Sequence, residues 1–185
     1  MASMNALPSD PAGDLAAADV ARQRLAASLR LPSWFHISLG VAVAIQIGAA
    51  AYGIAAQTGW GVAVAVAGCL PFVVVARVQV VRFRRLNGVR VDGFVSRAVL
   101  GTSGWSVLAE LVGLGGAVWA AMENLPWLAA ALAVAGGAAY AAGAHLWWRA
   151  YQRDPAGHAK AESLATLVGY GLVAVVAFVL LITMR

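Results

Sequence analysis

The chain has 185 residues, of which 62% are hydrophobic and 11% are charged, and its mean hydropathy is +0.78. A soluble domain of this length has too small a core to bury so much apolar surface, so the composition excludes an ordinary soluble protein and indicates an integral membrane protein. The formal net charge of +5 would also suit nucleic-acid binding, but the basic residues flank apolar segments and no base-reading module is present, so we expect no nucleic-acid partner.

The first 33 residues are polar and rich in alanine, and we assign them as a cytoplasmic tail. Asp10 stands at a helix N-cap position and Pro11 at the first helical position, which predicts a short helix over residues 11–30. The apolar stripe of this helix consists mostly of small side chains and its charges roughly cancel. We therefore predict a packed or loosely tethered cytoplasmic helix rather than a membrane anchor. Residues 34–185 are then a single transmembrane domain.

Five long apolar runs follow, each about 20 residues in length, which is enough to cross a hydrocarbon core of about 30 Å. Two of the connections between them are tight, and short connections require antiparallel neighbours. Pro71 lies in the middle of the second run, where its missing N–H predicts a kink. The predicted fold is all-α, an integral membrane helical bundle of about five transmembrane helices near residues 35–56, 60–80, 98–121, 126–148 and 163–184.

The basic residues predict the orientation of the bundle. All 13 Lys and Arg residues except Arg185 lie before the first span or in and around the second and fourth loops (about residues 81–97 and 149–162), and the tight connections contain none. The positive-inside rule therefore predicts a bacterial inner-membrane protein with a cytoplasmic N-terminus and a C-terminus outside. Most tryptophans lie near the predicted interfaces. Trp105, about two turns inside the third span, is expected to pack against another helix.

Glu110 is the strongest single candidate for chemistry, because it lies about 18 Å from the cytoplasmic boundary of the third span. A charge at that depth costs at least about 2.5 kcal/mol, so we expect Glu110 to face the bundle and to favour its protonated form. Gln46 lies at a similar depth on the first span and is the expected hydrogen-bond partner. Glu110 is either an intramembrane acid or proton carrier, or a protonated pin between helices.

His36 and His145 lie near the cytoplasmic ends of the first and fourth spans, which makes a bis-histidine haem geometrically conceivable. Histidines close to the interface usually find water or a backbone carbonyl, and one matched pair is weak evidence for haem. The single cysteine, Cys69, cannot form an intramolecular disulfide or a cysteine metal cluster. We therefore predict neither a cofactor nor a metal site.

The second loop, about residues 81–97, is the most distinctive stretch of the sequence. Its Asn87-Gly88 pair indicates either a hairpin turn or the C-cap of a helix that extends beyond the membrane, and the cap is favoured. The loop's arginines are topology determinants that could also attract anionic lipid headgroups or dock an acidic cytoplasmic protein. The predicted cytoplasmic basic patch consists of Arg82, Arg84, Arg85, Arg90 and Arg97.

The bias towards Ala, Gly, Val and Arg and the arginine-rich Asn-Gly loop resemble the short polytopic membrane proteins common in high-GC actinobacteria, and this resemblance implies no activity. The leading hypothesis is a non-enzymatic bundle that binds or regulates a partner. One alternative is a small membrane enzyme or carrier for a lipid or terpenoid-like substrate, with Glu110 as the acid. A second alternative is a proton or ion pathway through Glu110. Self-association into a homo-oligomer is compatible with each.

Overall fold

The structure, a computed structural model, describes residues 11–100 and 104–160 together with residues 163, 165, 168, 169 and 172. This part of the chain is helical and contains no strand. A π-helical segment at Phe94–Val99 precedes the fifth α-helix. The α-helices are α1 (Pro11–Ser28), α2 (Phe35–Ala56), α3 (Gly59–Ala67), α4 (Leu70–Asn87), α5 (Gly104–Met122), α6 (Pro126–Arg153) and the short α7 (Pro155–His158).

Four helical stretches of the described residues are long and apolar enough to cross a membrane, namely Phe35–Ala56, Gly59–Asn87, Phe94–Met122 and Pro126–Arg153. They coincide with the first four predicted spans, and the prediction of an all-α helical bundle is confirmed. The predicted fifth span, residues 163–184, lies outside the described residues except for five separate positions.

The second span is longer than predicted and is broken into two helices. Helix α3 ends at Ala67, and α4 begins at Leu70 with Pro71 in its first turn. A proline ring clashes with the carbonyl of the residue four positions earlier, and that residue is Ala67. The interruption predicted for Pro71 therefore lies two to three residues before it. Helix α4 continues to Asn87, where Gly88 adopts φ +67° and its N–H donates to the Arg84 carbonyl, so the second loop begins with a helix cap rather than a hairpin.

The third span begins with an irregular segment. The chain enters it through the π-helical segment Phe94–Val99, and α5 is described from Gly104 onward. Trp105 lies in the first described turn of α5. Its side chain is 78% exposed, so the prediction that it packs against another helix is wrong.

Helices α2, α5 and α6 form the centre of the bundle, which we call the three-helix core. A Cβ placed on Gly40 of α2 would lie 2.8 Å from the Gly137 carbonyl oxygen of α6, and one on Gly113 of α5 would lie 2.9 Å from the Gly136 Cα. The buried side chain of Ile47 inserts between Gly113 and Gly136. Small residues thus allow the close backbone approach that membrane helices need, since lipid supplies no hydrophobic drive between them.

Each of the two tight connections contains a residue in the left-handed conformation, Gln57 at φ 49° between α2 and α3 and Asn124 at φ 57° between α5 and α6. Thr58 then caps α3 by accepting a hydrogen bond from the Gly61 N–H at 3.0 Å.

At the opposite end of the bundle, the last turn of α1 and the residues after it pack onto the core through buried Ala26 and Leu29, whereas most of α1 is exposed. Of the two predicted arrangements, the end of α1 is packed, and the rest of the helix is exposed.

Candidate functional site

Glu110 lies on the face of α5 that packs against α6. Ser106, one turn earlier, is fully buried and its hydroxyl donates to the Tyr140 carbonyl at 3.5 Å. Gly113, one turn later, packs against Gly136 of α6. Glu110 occupies the seam between these two contacts and is partly buried.

Gln46 is partly buried on α2, but no hydrogen bond joins it to Glu110 among the described residues. The α2 side chain that reaches the α5–α6 seam is instead Ile47, the neighbouring residue. A shift of one residue turns a side chain by about 100° around a helix, so equal depth did not guarantee contact. The predicted Glu110–Gln46 pair is therefore not formed.

Tyr140 is the polar residue at the centre of the bundle, and the sequence analysis did not identify it. Its side chain is fully buried, and its hydroxyl donates a hydrogen bond to the Val99 carbonyl at the end of the π-helical segment. The centroid of the Phe72 ring from α4 lies 6.3 Å from that of Tyr140, and the two rings are nearly perpendicular, at 87°. Tyr140 thus gives a backbone carbonyl of the π-helical segment a hydrogen-bond partner inside the bundle, as irregular backbone at membrane depth requires.

His36 and His145 are brought together, as their depths suggested. Their ring centroids are 5.0 Å apart and the rings are perpendicular. An iron between two imidazoles would hold the rings apart with one nitrogen of each directed at the metal, so this direct edge-to-face contact does not fit a bis-histidine haem. Nor does the described part of the chain contain a group of three or more His, Cys, Asp or Glu side chains placed to hold a metal ion.

The predicted basic patch divides into two parts. Arg82, Arg84, Arg85 and Arg90 are exposed, and none of them forms an ion pair with a carboxylate of the described residues. We call these four the basic surface. Arg97 is partly buried, and its Nε donates to the Lys160 carbonyl at 3.2 Å, so it ties the second loop to the fourth.

Asn87 holds the backbone of the basic surface in place. Its Nδ2 donates to the carbonyls of Arg30 and Phe83, and its Oδ1 accepts from the Arg30 N–H. The last residue of α4 is thereby clamped to the linker between α1 and α2. The sequence indicated a cap at this position but did not reveal the clamp, because its partner is 57 residues away.

A cluster of buried aromatic rings lies directly behind the basic surface. Phe83 of α4 stacks on Phe94 at 4.0 Å, and Trp148 of α6 meets both rings edge-on. Aromatic rings packed in this way bury large areas and fix one another's orientation. The members of the aromatic cluster are Phe35, Phe83, Phe94, Trp147, Trp148 and Tyr151.

Two apolar grooves run along the contact between α2 and α6. The first has a volume of about 640 Å³ and extends from Ile37 to Gly48 on α2. The second, about 560 Å³, continues towards the tight connections and shares Gly48 and Ala130 with the first. Glu110 lines neither groove.

No protein-family model matches this chain, and searches of curated proteins and of solved structures give no match.

Proposed function

We propose that this integral membrane protein is a non-enzymatic bundle whose basic surface binds an acidic segment of a cytoplasmic protein. The observation that carries the proposal is that Arg82, Arg84, Arg85 and Arg90 are exposed without a carboxylate partner among the described residues. Arginine is the side chain best suited to bind carboxylates, because its planar guanidinium donates paired hydrogen bonds.

The rigidity of the supporting backbone favours binding over a purely topological role. The Asn87 clamp and the aromatic cluster hold the end of α4 against two other segments of the chain. A topology signal needs only positive charge near a span, whereas a binding surface gains affinity when its backbone is ordered before the partner arrives.

The reach of α4 favours a protein partner over lipid headgroups. The stretch Gly59–Asn87 contains 29 residues. Even with its break at Gly68 and Cys69, the stretch can extend up to about 43 Å at 1.5 Å per residue, against a hydrocarbon core of about 30 Å. This length supports a location of Arg84, Arg85 and Arg90 beyond most of the headgroup layer, within reach of a cytoplasmic protein.

The centre of the bundle offers less support for the alternatives that rely on Glu110. A membrane enzyme or carrier that uses Glu110 as its acid needs space beside that residue, and Glu110 lines neither of the two described grooves between α2 and α6. Glu110 instead lies on the seam between α5 and α6, between the contacts made by Ser106 and Gly113.

The test replaces all four arginines of the basic surface with glutamine and measures binding of a fluorescent peptide of twelve Asp and Glu residues to the protein in phosphatidylcholine nanodiscs. We expect at least tenfold weaker binding, since each exposed ion pair contributes roughly 0.2–1 kcal/mol and four are removed together. The matched control replaces Arg22, Arg24, Arg153 and Lys160, which removes the same charge away from the basic surface and should weaken binding less than threefold.

Equal losses in the two sets would contradict the proposal, because they would show attraction to net charge alone. If the peptide binds much more weakly when the protein is placed in phosphatidylglycerol nanodiscs, the arginines bind lipid headgroups in preference to the peptide.

Glu110→Gln should leave peptide binding unchanged. A small-molecule adduct seen by native mass spectrometry and lost in Glu110→Gln would move the function to the intramembrane acid.

A further inference from the structure

The groove of about 640 Å³ between α2 and α6 ends at the histidine pair. Gly40 and Ala141 both line the groove and face each other across it. His36 lies one turn before Gly40 and His145 one turn after Ala141, and their rings touch. The pair therefore closes the groove at the end of the bundle that carries the arginines.

His36 lacks the hydrogen bonds that a buried imidazole normally makes. Both of its ring nitrogens are buried, and neither has a partner within the described part of the chain. A buried polar group left unpaired costs free energy, and it commonly marks a position that a ligand or ordered water completes. The ring of His145 that covers it is exposed, so rotation of one surface side chain opens His36 to the groove.

The dimensions of the groove suit a single lipid chain. From Ile37 to Gly48 it is about 16 Å long, and its volume falls within the range of about 300–1,000 Å³ typical of small-ligand sites. Its lining consists entirely of Gly, Ala, Val and Ile side chains. Lipid tails are as apolar as this lining, so the groove alone cannot select one lipid from the bilayer.

Selection must therefore come from the headgroup end, where positive charge is available. Arg149 is exposed and lies one turn beyond His145 on the same face of α6. A phosphate at this end would meet the guanidinium of Arg149 and the imidazoles of His145 and His36. The anionic lipids of a bacterial inner membrane present such a phosphate at the headgroup level.

We propose that the α2–α6 groove holds the acyl chain of an anionic phospholipid from the cytoplasmic leaflet, with its phosphate bound by His36, His145 and Arg149. None of these residues belongs to the basic surface, so the lipid site and the proposed protein-binding function can succeed or fail separately. The lipid would fill the open face between α2 and α6 and supply the hydrogen bonds that His36 lacks.

The headgroup contacts are tested with the full chain in detergent, titrated with dioleoyl phosphatidylglycerol and examined by native mass spectrometry. We expect the wild-type protein to retain one lipid, and His36→Phe and Arg149→Gln each to lower the retained fraction at least fivefold. Phenylalanine keeps the ring volume and removes both nitrogens. The matched controls are His158→Phe and Arg153→Gln, which should retain lipid as the wild type does.

The groove is tested with Ala138→Phe, which places a large side chain in it, against Ala135→Phe, an exposed position on the same helix that does not line it. We expect lipid to be lost only from the first variant. Thermal unfolding and gel-filtration profiles show which variants remain folded, and Arg149→Gln changes only an exposed side chain.

Equal retention of lipid by every variant would overturn the proposal, as would equal retention of phosphatidylcholine and phosphatidylglycerol by the wild type. Loss in Ala138→Phe with normal retention in both headgroup variants would also overturn it, because the histidines and Arg149 would then play no part.

Discussion

The three-helix core and helix α4 are held in the bundle by different means. In the most apolar window of α2, 44% of residues are buried inside the bundle, against 22% for Gly59–Asn87. Helices α2, α5 and α6 meet backbone to backbone through glycines. Helix α3 also meets α2 in this way, since a Cβ on Gly61 would lie 2.5 Å from the Gly53 carbonyl oxygen. By contrast, the described residues attach α4 to α2 through one buried polar contact, in which Gln79 Nε2 donates to Ser38 Oγ at 2.7 Å, and through apolar side chains.

This difference separates a rigid part of the bundle from a more adaptable one. Helices in direct backbone contact have no side chain that can yield, so their spacing is fixed by van der Waals repulsion. Helix α4 follows the break at Gly68 and Cys69, and most of its side chains are exposed or only partly buried. The basic surface lies at its end, where the Asn87 clamp and the aromatic cluster attach it to other segments of the chain.

The largest expected effect comes from separating the helices of the core. A Cβ at Gly137 would meet the Gly40 carbonyl oxygen and the Ala44 side chain, and backbone atoms cannot move aside. We expect Gly137→Leu to lower the free energy of unfolding by about 3 kcal/mol, the upper end of typical overpacking costs. Thermal unfolding in detergent measures this loss.

Gly115→Leu is the matched control, because a Cβ on Gly115 of α5 meets nothing within 4 Å. This variant should unfold at or slightly above the wild-type temperature, since leucine favours a helix over glycine by roughly 0.5–1 kcal/mol. Similar melting temperatures for the two variants would show that glycine contacts do not fix the core.

An intermediate effect is expected from Tyr140→Phe, which tests whether a buried hydrogen bond stabilises the core in addition to the glycine contacts. The change leaves the Val99 carbonyl without the hydroxyl that now binds it. We expect a loss of about 1.5 kcal/mol, near the upper end for hydrogen bonds between membrane helices. Chemical unfolding in detergent measures it, with Tyr52→Phe, at a side chain 58% exposed on α2, as the control. If the two variants have the same free energy of unfolding, the Tyr140 hydrogen bond does not contribute to stability and packing alone stabilises this region.

The smallest effects are expected at the contact between α4 and the core. Gln79 is 4% exposed and its Oε1 has no partner among the described residues, so the amide is only half satisfied. Gln79→Leu should change the free energy of unfolding by less than about 0.5 kcal/mol, because it removes both ends of a poorly paired group. Ser38→Ala should cost about 1 kcal/mol, since it leaves the whole amide unpaired. The reverse order in equilibrium unfolding would show that the Gln79 hydrogen bond holds α4 in place.

The sequence predicted where chain segments cross the membrane better than how they contact one another. The first span was predicted at residues 35–56 and α2 is Phe35–Ala56, because apolar length is a property of the segment itself. The small-residue composition indicated tight packing in general. It did not identify Gly137 or Gly113, since glycine and alanine are too abundant in every span for one position to stand out.

For the candidate sites too, the sequence predicted the depth of each side chain better than its contacts. Equal depth along two helices brought His36 and His145 together but not Glu110 and Gln46, because contact also depends on the angle at which each side chain leaves its helix. Tyr140 went unnoticed, since nothing in an alanine-rich helix reveals that a hydroxyl will meet a freed carbonyl of another segment.

Hydropathy and charge act along the chain, so the sequence was enough to predict a helical membrane bundle, the segments apolar enough to span and the end that carries the arginines. The folded packing was needed to show that α3 and α4 are separate helices and that Ile47 rather than Gln46 enters the core. It also showed that His36 has no hydrogen-bond partner among the described residues. Those outcomes depend on helix rotation and close backbone approach, which contacts between distant residues set.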